Sequence, residues 1–460
     1  MTESFRGKLR RLRRDPAGDA SNDAPSTGAN TDVDAGARRA PDWMRERLGK
    51  AARKRRVHAK PAPQDEAGLW PRSTTDLGCI EVRGQGDAAF AARTTWFDQS
   101  WMHGTWRLEE VDGVRPSDFH TTTNDAGLAD LDLRRAVYLD TETTGLSGGA
   151  GTSVFMIGLG RFVGERFELW QGFLRSPAEE RALLAECAFR IARSSGVVSF
   201  FGKSFDRHRL EDKMRIHGVP APFDDVPHLD LCHPLRRLYR AALPDARLRT
   251  MEAALVGVDR DDDLPGAHAP EAWFDYLAGR PHRVEGVFQH NLDDVLSLAT
   301  LAAHLGRTTE ESRTCGATLP GDPAARAAGM AKSMLAMRDR IAALLWLDRA
   351  IERTSDAQAQ RTLHLARAET LRLAKRPAEA LTAYKSLASA PEDRHSVAAL
   401  LGLAKLLEHH TRDRAGALEL CHTAEAILER QLLGGAYART KRELAQRVER
   451  LSRGSELDGA

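Results

Sequence analysis

AVYLDTETTGLSGGAGTSVFMIGLGRF, residues 136–162, opens as one apolar strand and closes as another, and two acids stand where the first strand ends. Val137 and Leu139 give the texture of a buried strand that runs directly into Asp140 and Glu142. Side chains alternate along a strand, so two acids separated by one residue share a face. Side by side next to an apolar strand they repel each other and lose hydration, an arrangement that a cation between them would relieve. An all-oxygen site of this kind suits Mg²⁺ or Mn²⁺. A strand that merely ends in a polar turn produces the same DxE, so the pair alone does not decide. The glycine-dense TTGLSGGAGT that follows adds to it, because such a loop lets backbone and an incoming phosphate approach closely.

Downstream, TSVFMIGLGRF and RFELWQGFL read as strands of a hairpin joined by Val163, Gly164 and Glu165. SPAEERALLAECAFRIARSSG predicts a helix with Ser176 and Glu179 as a capping box and Pro177 at its first position. VVSFF, residues 197–201, is a short buried strand, and GKSFDRHRL places Asp206 just past it, where a new helix starts. Taken singly, Asp206 is also an ordinary helix N-cap. RLRTMEAALVG predicts a helix ended by Gly257, and VEGVFQHNLDDVLSLATLAAHLG a long one ended by Gly306. On the long helix His290 and Asp294 are four residues apart and therefore on one side, which is equally the spacing of a surface pair.

These segments together resemble the three motifs of the DEDD (DnaQ-like, ribonuclease H-like) exonuclease superfamily, and the GGAGT extension resembles the YprB ribonuclease H-like family. DTE supplies Asp140 and Glu142. GKSFD aligns with a family pattern of Tyr, Asn, Gly, Lys, Ser, Phe, Asp and supplies Asp206, with Phe201 where the family has Asn. HNLDD aligns with Tyr-x-x-x-Asp, which puts His290 at the Tyr position, makes Asp294 the fourth carboxylate and sets Asp293 aside. HLDLCHPLRRLYR and LPGAHAPEAWFDY also look like the YprB family, and His228 and Asp230 are candidates for supporting roles or for plain surface polarity.

The resemblance implies a mixed α/β sheet flanked by helices and a two-metal phosphodiester hydrolysis with two Mg²⁺ or Mn²⁺ ions. Asp140 would bridge both ions, Glu142 and Asp294 would complete the water-activating site, Asp206 would hold the second ion, and His290 would orient or deprotonate the water. The substrate expected is DNA or RNA, entered at a single-stranded 3′ end. The alternative is a weakly catalytic nucleic-acid-binding or protein-interaction scaffold.

The chain of 460 residues is long enough for two or three domains. Residues 1–61 hold 16 Lys and Arg against 8 Asp and Glu, a charge of +8 within a total of +2. Residues 1–65 therefore read as a disordered basic arm, either a tracker of nucleic-acid backbone or a solvated tail. A nuclease domain is expected over 66–312, in which 70–135 supply strands leading into the sheet. A linker spans 313–323. From 324 to 452 Ala343-Leu344, Ala380-Leu381 and Ala417-Leu418 recur at 37 residues, with Ala350, Leu387 and Ala424 seven residues behind. That period predicts an all-α, TPR-like repeat domain whose face takes a protein partner, with an irregular bundle as the alternative. Five scattered cysteines without CxxC argue against disulfides or zinc. With no 18-residue apolar run and no signal-like start, no membrane span is expected and the expected location is the cytoplasm.

Overall fold

The computed structural model describes residues 80–145, 152–260, 264–310, 319–389, 391–430 and 437–458. By contacts the chain divides into units 1–68 and 69–460, and every described residue belongs to the second. The basic arm, the tip of the glycine-dense loop and residues 311–318 lie outside the described residues.

The centre is a seven-stranded sheet in the order β1-β2-β7-β6-β5-β8-β9. Its strands are β1 (Ile80–Arg83), β2 (Phe90–Asp98), β5 (Val137–Thr143), β6 (Val154–Val163), β7 (Arg166–Phe173), β8 (Val197–Ser199) and β9 (His228–Asp230). Strands β1, β2, β7, β6 and β5 are antiparallel neighbours, while β5, β8 and β9 are parallel. The sheet is thus mixed, as expected, and β5 is the strand where one pairing mode gives way to the other. Gly164 closes the β6–β7 turn with φ +61°, the left-handed geometry that a two-residue hairpin requires. Among the described residues of 70–135, only β1 and β2 join this sheet; MHGTWR forms the separate pair β3 (Met102–His103) and β4 (Trp106–Arg107), followed by helix α1 (Pro116–Thr123).

Alternation along β5 divides its burial between two layers. Val137 and Leu139 pack with helices α2 (Glu180–Ala192) and α3 (Asp206–Ile216), whereas Tyr138 faces α7 (Val284–Glu310). Between α3 and α7 come α4 (Cys232–Tyr239), α5 (Leu248–Leu255) and α6 (Ala269–Leu277). Two expected boundaries differ. Glu179 accepts from the Arg175 backbone N–H instead of completing a box with Ser176, so α2 starts through a 3₁₀ turn. Helix α7 continues through Gly306 to Glu310, because that glycine serves packing: a Cβ there would stand 2.2 Å from Val114 Cγ1.

The C-terminal region is helical and keeps the 37-residue period as three hairpins. These are α8 (Pro323–Ala336) with α9 (Arg340–Arg353), α10 (Ala357–Leu373) with α11 (Pro377–Ala388), and α12 (Arg394–Leu406) with α13 (Arg414–Arg430); α14 (Ala438–Asp458) follows. Ala343, Ala380 and Ala417 are each fully buried at equivalent places in the second helix. The turns repeat too: Arg338, Lys375 and Arg412 sit at φ 63°, 59° and 59°, one per hairpin and 37 residues apart. Each residue after the first helix thus takes the left-handed cap that reverses the chain.

The hydrophobic core that backs the sheet does not stop at residue 312. Ala327, Met330, Met334, Trp346 and Leu347 of the first hairpin share one cluster with Leu235, Leu238 and Tyr239 of α4 and with α7. Gly329 permits this contact, since a Cβ there would come within 2.5 Å of the Leu238 Cα. Buried Arg326 donates to the Pro320 carbonyl at 3.1 Å and fixes the entry to α8. Removing the hairpin would return several large apolar side chains to water at roughly 1.5–3 kcal/mol each. A chain ending at Arg313 is therefore expected to aggregate or melt without cooperativity, whereas one ending at Thr354 should melt as a unit. Equal cooperative melting of both by calorimetry would show that the sheet closes its core alone.

Candidate active site

Asp140 lies opposite Gly158 in the β5–β6 ladder, and Glu142 opposite Met156 just before a bulge at Glu142/Thr143. Two glycines of β6 decide what can lie over these acids. A Cβ on Gly158 would sit 2.3 Å from Asn291 Oδ1, and one on Gly160 would sit 2.7 Å from Val295 Cγ1. Gly158 and Gly160 thus clear the same face for positions 291 and 295, one turn apart on α7. With the helix seated there, Asn291 Nδ2 donates to Asp140 Oδ2 at 2.8 Å and Gln171 Nε2 donates to Asn291 Oδ1 at 2.9 Å. The same seating brings His290 Nε2 to 3.9 Å from Glu142 Oε1 and 3.7 Å from Asp294 Oδ2. Asp293 accepts from Gln289 at 3.0 Å, and its charge also acts on Arg260.

Asp206 is the first residue of α3 and is buried, and its Oδ1 accepts a short hydrogen bond from the Thr141 hydroxyl. The turn before it is clamped by buried Asp230, whose Oδ1 accepts from the Phe201 N–H at 2.8 Å and the Cys232 N–H at 3.0 Å, and whose Oδ2 accepts from Lys203 N–H at 3.1 Å. His228 lies beneath, 2.8 Å from the Ser199 hydroxyl, and burial pushes it down to about 3. Phe201 is at φ +62°, a conformation that Asn adopts more readily than a bulky residue. The Asn of the pattern that GKSFD resembles would therefore have a backbone reason as well as a hydrogen-bonding one.

Asp294 points both ways. Its Oδ1 pairs with Arg260 Nη1 at 2.6 Å and its Oδ2 faces His290. Arg260 is buried, and its Nη2 lies 2.6 Å from Glu252 Oε2. Glu252 also accepts from Ser297 Oγ at 2.6 Å, and Ser297 is 2.8 Å from His103 Nε2. This buried chain fixes one oxygen of Asp294 from below. Neither Arg260 nor Asn291 was legible in the sequence. Arg260 stands in the acid-rich DRDDD and looks like a surface charge, and Asn291 is hidden between His290 and Leu292.

Asp140, Glu142, Asp206, His290 and Asp294 thus come together from β5, α3 and α7. Their electrostatics show the strain of crowding. Burial, then the charges of Asp294 and Asp206, hold the Asp140 carboxyl well above the usual carboxylate range. Burial raises Asp206 to about 6. The donor set, all carboxylate oxygen with one imidazole at its edge, fits Mg²⁺ or Mn²⁺ in chemistry. Among the described residues no three donors already converge as a coordination shell.

Residues 137–306 match the RNase H superfamily, a segment running from the first residue of β5 through most of α7. Over 337 residues the chain is 29% identical to "Uncharacterized protein YprB" of Bacillus subtilis (strain 168), covering 71% of this chain and 78% of that protein. The superfamily match points to hydrolysis of nucleic acid. Among the described residues no helix is long and apolar enough to cross a membrane.

Without a cation, folded Asp206 binds its proton more tightly than the unfolded chain, whose value is near 3.8. Between about pH 4 and 6 the native state holds more protons, so this group's contribution to stability falls as pH rises, by on the order of 3 kcal/mol in full. A divalent ion that takes the proton's place removes that cost. The rise in Tm on adding Mg²⁺ or Mn²⁺ should therefore be larger at pH 7.5 than at pH 5 and should shrink in Asp206→Asn. No shift at either pH would exclude the cluster as an ion site. Separately, Arg260→Ala leaves Glu252 and Asp294 facing each other without their cation, and urea unfolding should report a loss of about 3–5 kcal/mol.

Proposed function

We propose that this chain is a metal-dependent 3′ to 5′ exonuclease of the DEDD type, hydrolysing phosphodiester bonds of DNA or RNA with two Mg²⁺ or Mn²⁺ ions. The observation that carries the reading is that four carboxylates from three elements are gathered at one end of β5, three of them each held by a dedicated partner. Asn291 holds Asp140, Thr141 holds Asp206, and Arg260 holds Asp294. Residues that merely decorated a surface would not be backed by buried groups.

Asp140, Glu142, Asp206 and Asp294 would hold the ions, whose charge neutralises the phosphate and acidifies a water. The rest of the chemistry belongs to side chains. A ring nitrogen of His290 is placed to take the proton of the attacking water, and Glu142 and Asp294, both within 4 Å, would stabilise the imidazolium that results. Asp294 can present Oδ2 while Arg260 keeps Oδ1, so its orientation survives each turnover. Asn291, a neutral donor, restrains Asp140 without adding charge to the site.

The domain reading belongs to the same proposal: a basic arm over 1–65, a nuclease domain over 66–312 whose core is completed by the first hairpin beyond it, a linker over 313–323 and TPR-like repeats over 324–452 that offer a protein partner a face. The hairpins, with their periodic buried alanines and left-handed turns, support the repeat reading. A second reading, a nucleic-acid-binding scaffold with little catalysis, is favoured by two observations: Asp294 is already paired with Arg260, and no three donors among the described residues form a coordination shell.

End-labelled single- and double-stranded DNA and RNA, incubated with Mg²⁺, Mn²⁺ or EDTA, separate the two. The nuclease reading expects metal-dependent shortening from the 3′ end. Asp140→Asn and Glu142→Gln should each lower turnover on the order of a hundredfold or more while circular dichroism is unchanged. Binding without hydrolysis under every condition would leave the scaffold reading in its place.

A further inference from the structure

Phe201 carries two costs that the fold does not require. The residue is 48% exposed, and its backbone lies at φ +62°, which for a bulky residue costs about 1–2 kcal/mol. The strain is maintained by Asp230, which accepts from the N–H groups on either side of the turn. The position is next to the carboxylates: a Cβ on neighbouring Gly202 would be 3.1 Å from Asp206 Oδ2. On the other side the exposed His233 ring lies 6.2 Å from that of Phe201, tilted by 55°.

From His233 the surface turns basic. Arg236, Arg237 and Arg240 follow at three, four and seven residues, one face of α4 extended by about 10 Å of helical rise. Lys332 of α8 faces them across a groove of about 530 Å³, which has no acidic residue in its lining. The close approach at Gly329 sets its floor, and Arg237 is held in place by donating to the Thr122 carbonyl at 3.1 Å. Arg236, Arg240 and Lys332 are exposed and form no ion pair with a carboxylate among the described residues.

We infer that Phe201 and His233 form a stacking platform for bases, and that the α4–α8 groove carries the phosphates of the same single strand toward the carboxylates. The inference deepens the nuclease reading and rests on it for what lies at the end of the track. An aromatic step beside an acid-free basic groove is the combination by which single strands are held without sequence readout. An acidic peptide would match the cations but would leave an exposed aromatic pair beside a phosphodiester site unexplained. The first helix of the repeats then has a task of its own, because Lys332 forms the far wall.

The test uses the full-length protein in EDTA, so that binding is read without hydrolysis. Fluorescence anisotropy with labelled single strands of about 4 and about 12 nucleotides should show tighter binding of the longer, with affinity falling as salt rises. Arg236→Ala/Arg240→Ala should weaken the longer strand about tenfold or more and flatten its salt dependence by about 0.7 per lost phosphate contact. Lys332→Glu should act in the same direction from the opposite wall. Phe201→Gly separates ring from backbone. If the ring stacks, Tm rises as strain is relieved while strand affinity falls severalfold, and Phe201→Trp retains binding. Wild-type affinity and salt slope in the groove variants would overturn the track, as would polyglutamate competing as well as an oligonucleotide, or no strand binding by the wild type. A wild type that binds along the groove yet never cleaves when metal is restored fails the nuclease reading alone. One that cleaves normally with the groove neutralised fails the track alone.

Discussion

The seating of α7 on β6 is the contact on which the candidate site depends. Gly158 and Gly160 remove two side chains from the middle of a buried sheet, where a glycine ordinarily weakens a strand. That loss makes space for Asn291 and Val295, and through them fixes the rotation and height of a 27-residue helix. Three consequences follow from one placement: Asn291 reaches Asp140, His290 reaches between Glu142 and Asp294, and Asp294 meets Arg260. A larger residue at either glycine would lift the helix and uncouple all three.

The acids themselves show why such rigidity is needed. Asp140 and Asp206 are both pushed above the ordinary carboxylate range by burial, so the fold holds them against their own electrostatics. Three kinds of partner do the holding: a hydroxyl for Asp206, an amide for Asp140 and a guanidinium for Asp294. Only the last adds a charge, and it does so on the oxygen turned away from His290.

What was readable in the sequence was what local pattern controls. The strand texture around Val137 and Leu139, the hairpin turn at Gly164 and the helix break at Gly257 are local, as is the spacing of His290 and Asp294. The period of 37 was visible for the same reason. What was not readable depends on long separations. Arg260 meets Glu252 and Asp294 only after α5 and α7 pack, and Asn291 meets Asp140 across 151 residues. Gly306 looked like a stop because its reason, Val114, lies far away in sequence. The Ser176 and Glu179 box failed because Glu179 found Arg175 first. The continuity of the core across the linker was likewise hidden, since the buried faces of α4 and α8 are amphipathic whether or not they meet.

The left-handed residues Arg338, Lys375 and Arg412 make the hairpins interchangeable at their turns, but the hairpins are not equivalent in where their apolar faces go. The first is absorbed into the core of the sheet, while the second and third bury theirs in two smaller clusters, centred on Tyr384 and on Cys421. The array is therefore anchored to the sheet at its first hairpin, while its outer described hairpins pack on one another. Each distal hairpin relies on its inner neighbour, so among the described helices protection falls from the sheet outward, a gradient that amide hydrogen exchange reads directly. The same asymmetry gives the array a direction of growth. Whole units of 37 residues could be added or lost beyond α11 without disturbing the carboxylates, whereas the hairpin that carries Lys332 is bound to the sheet it serves.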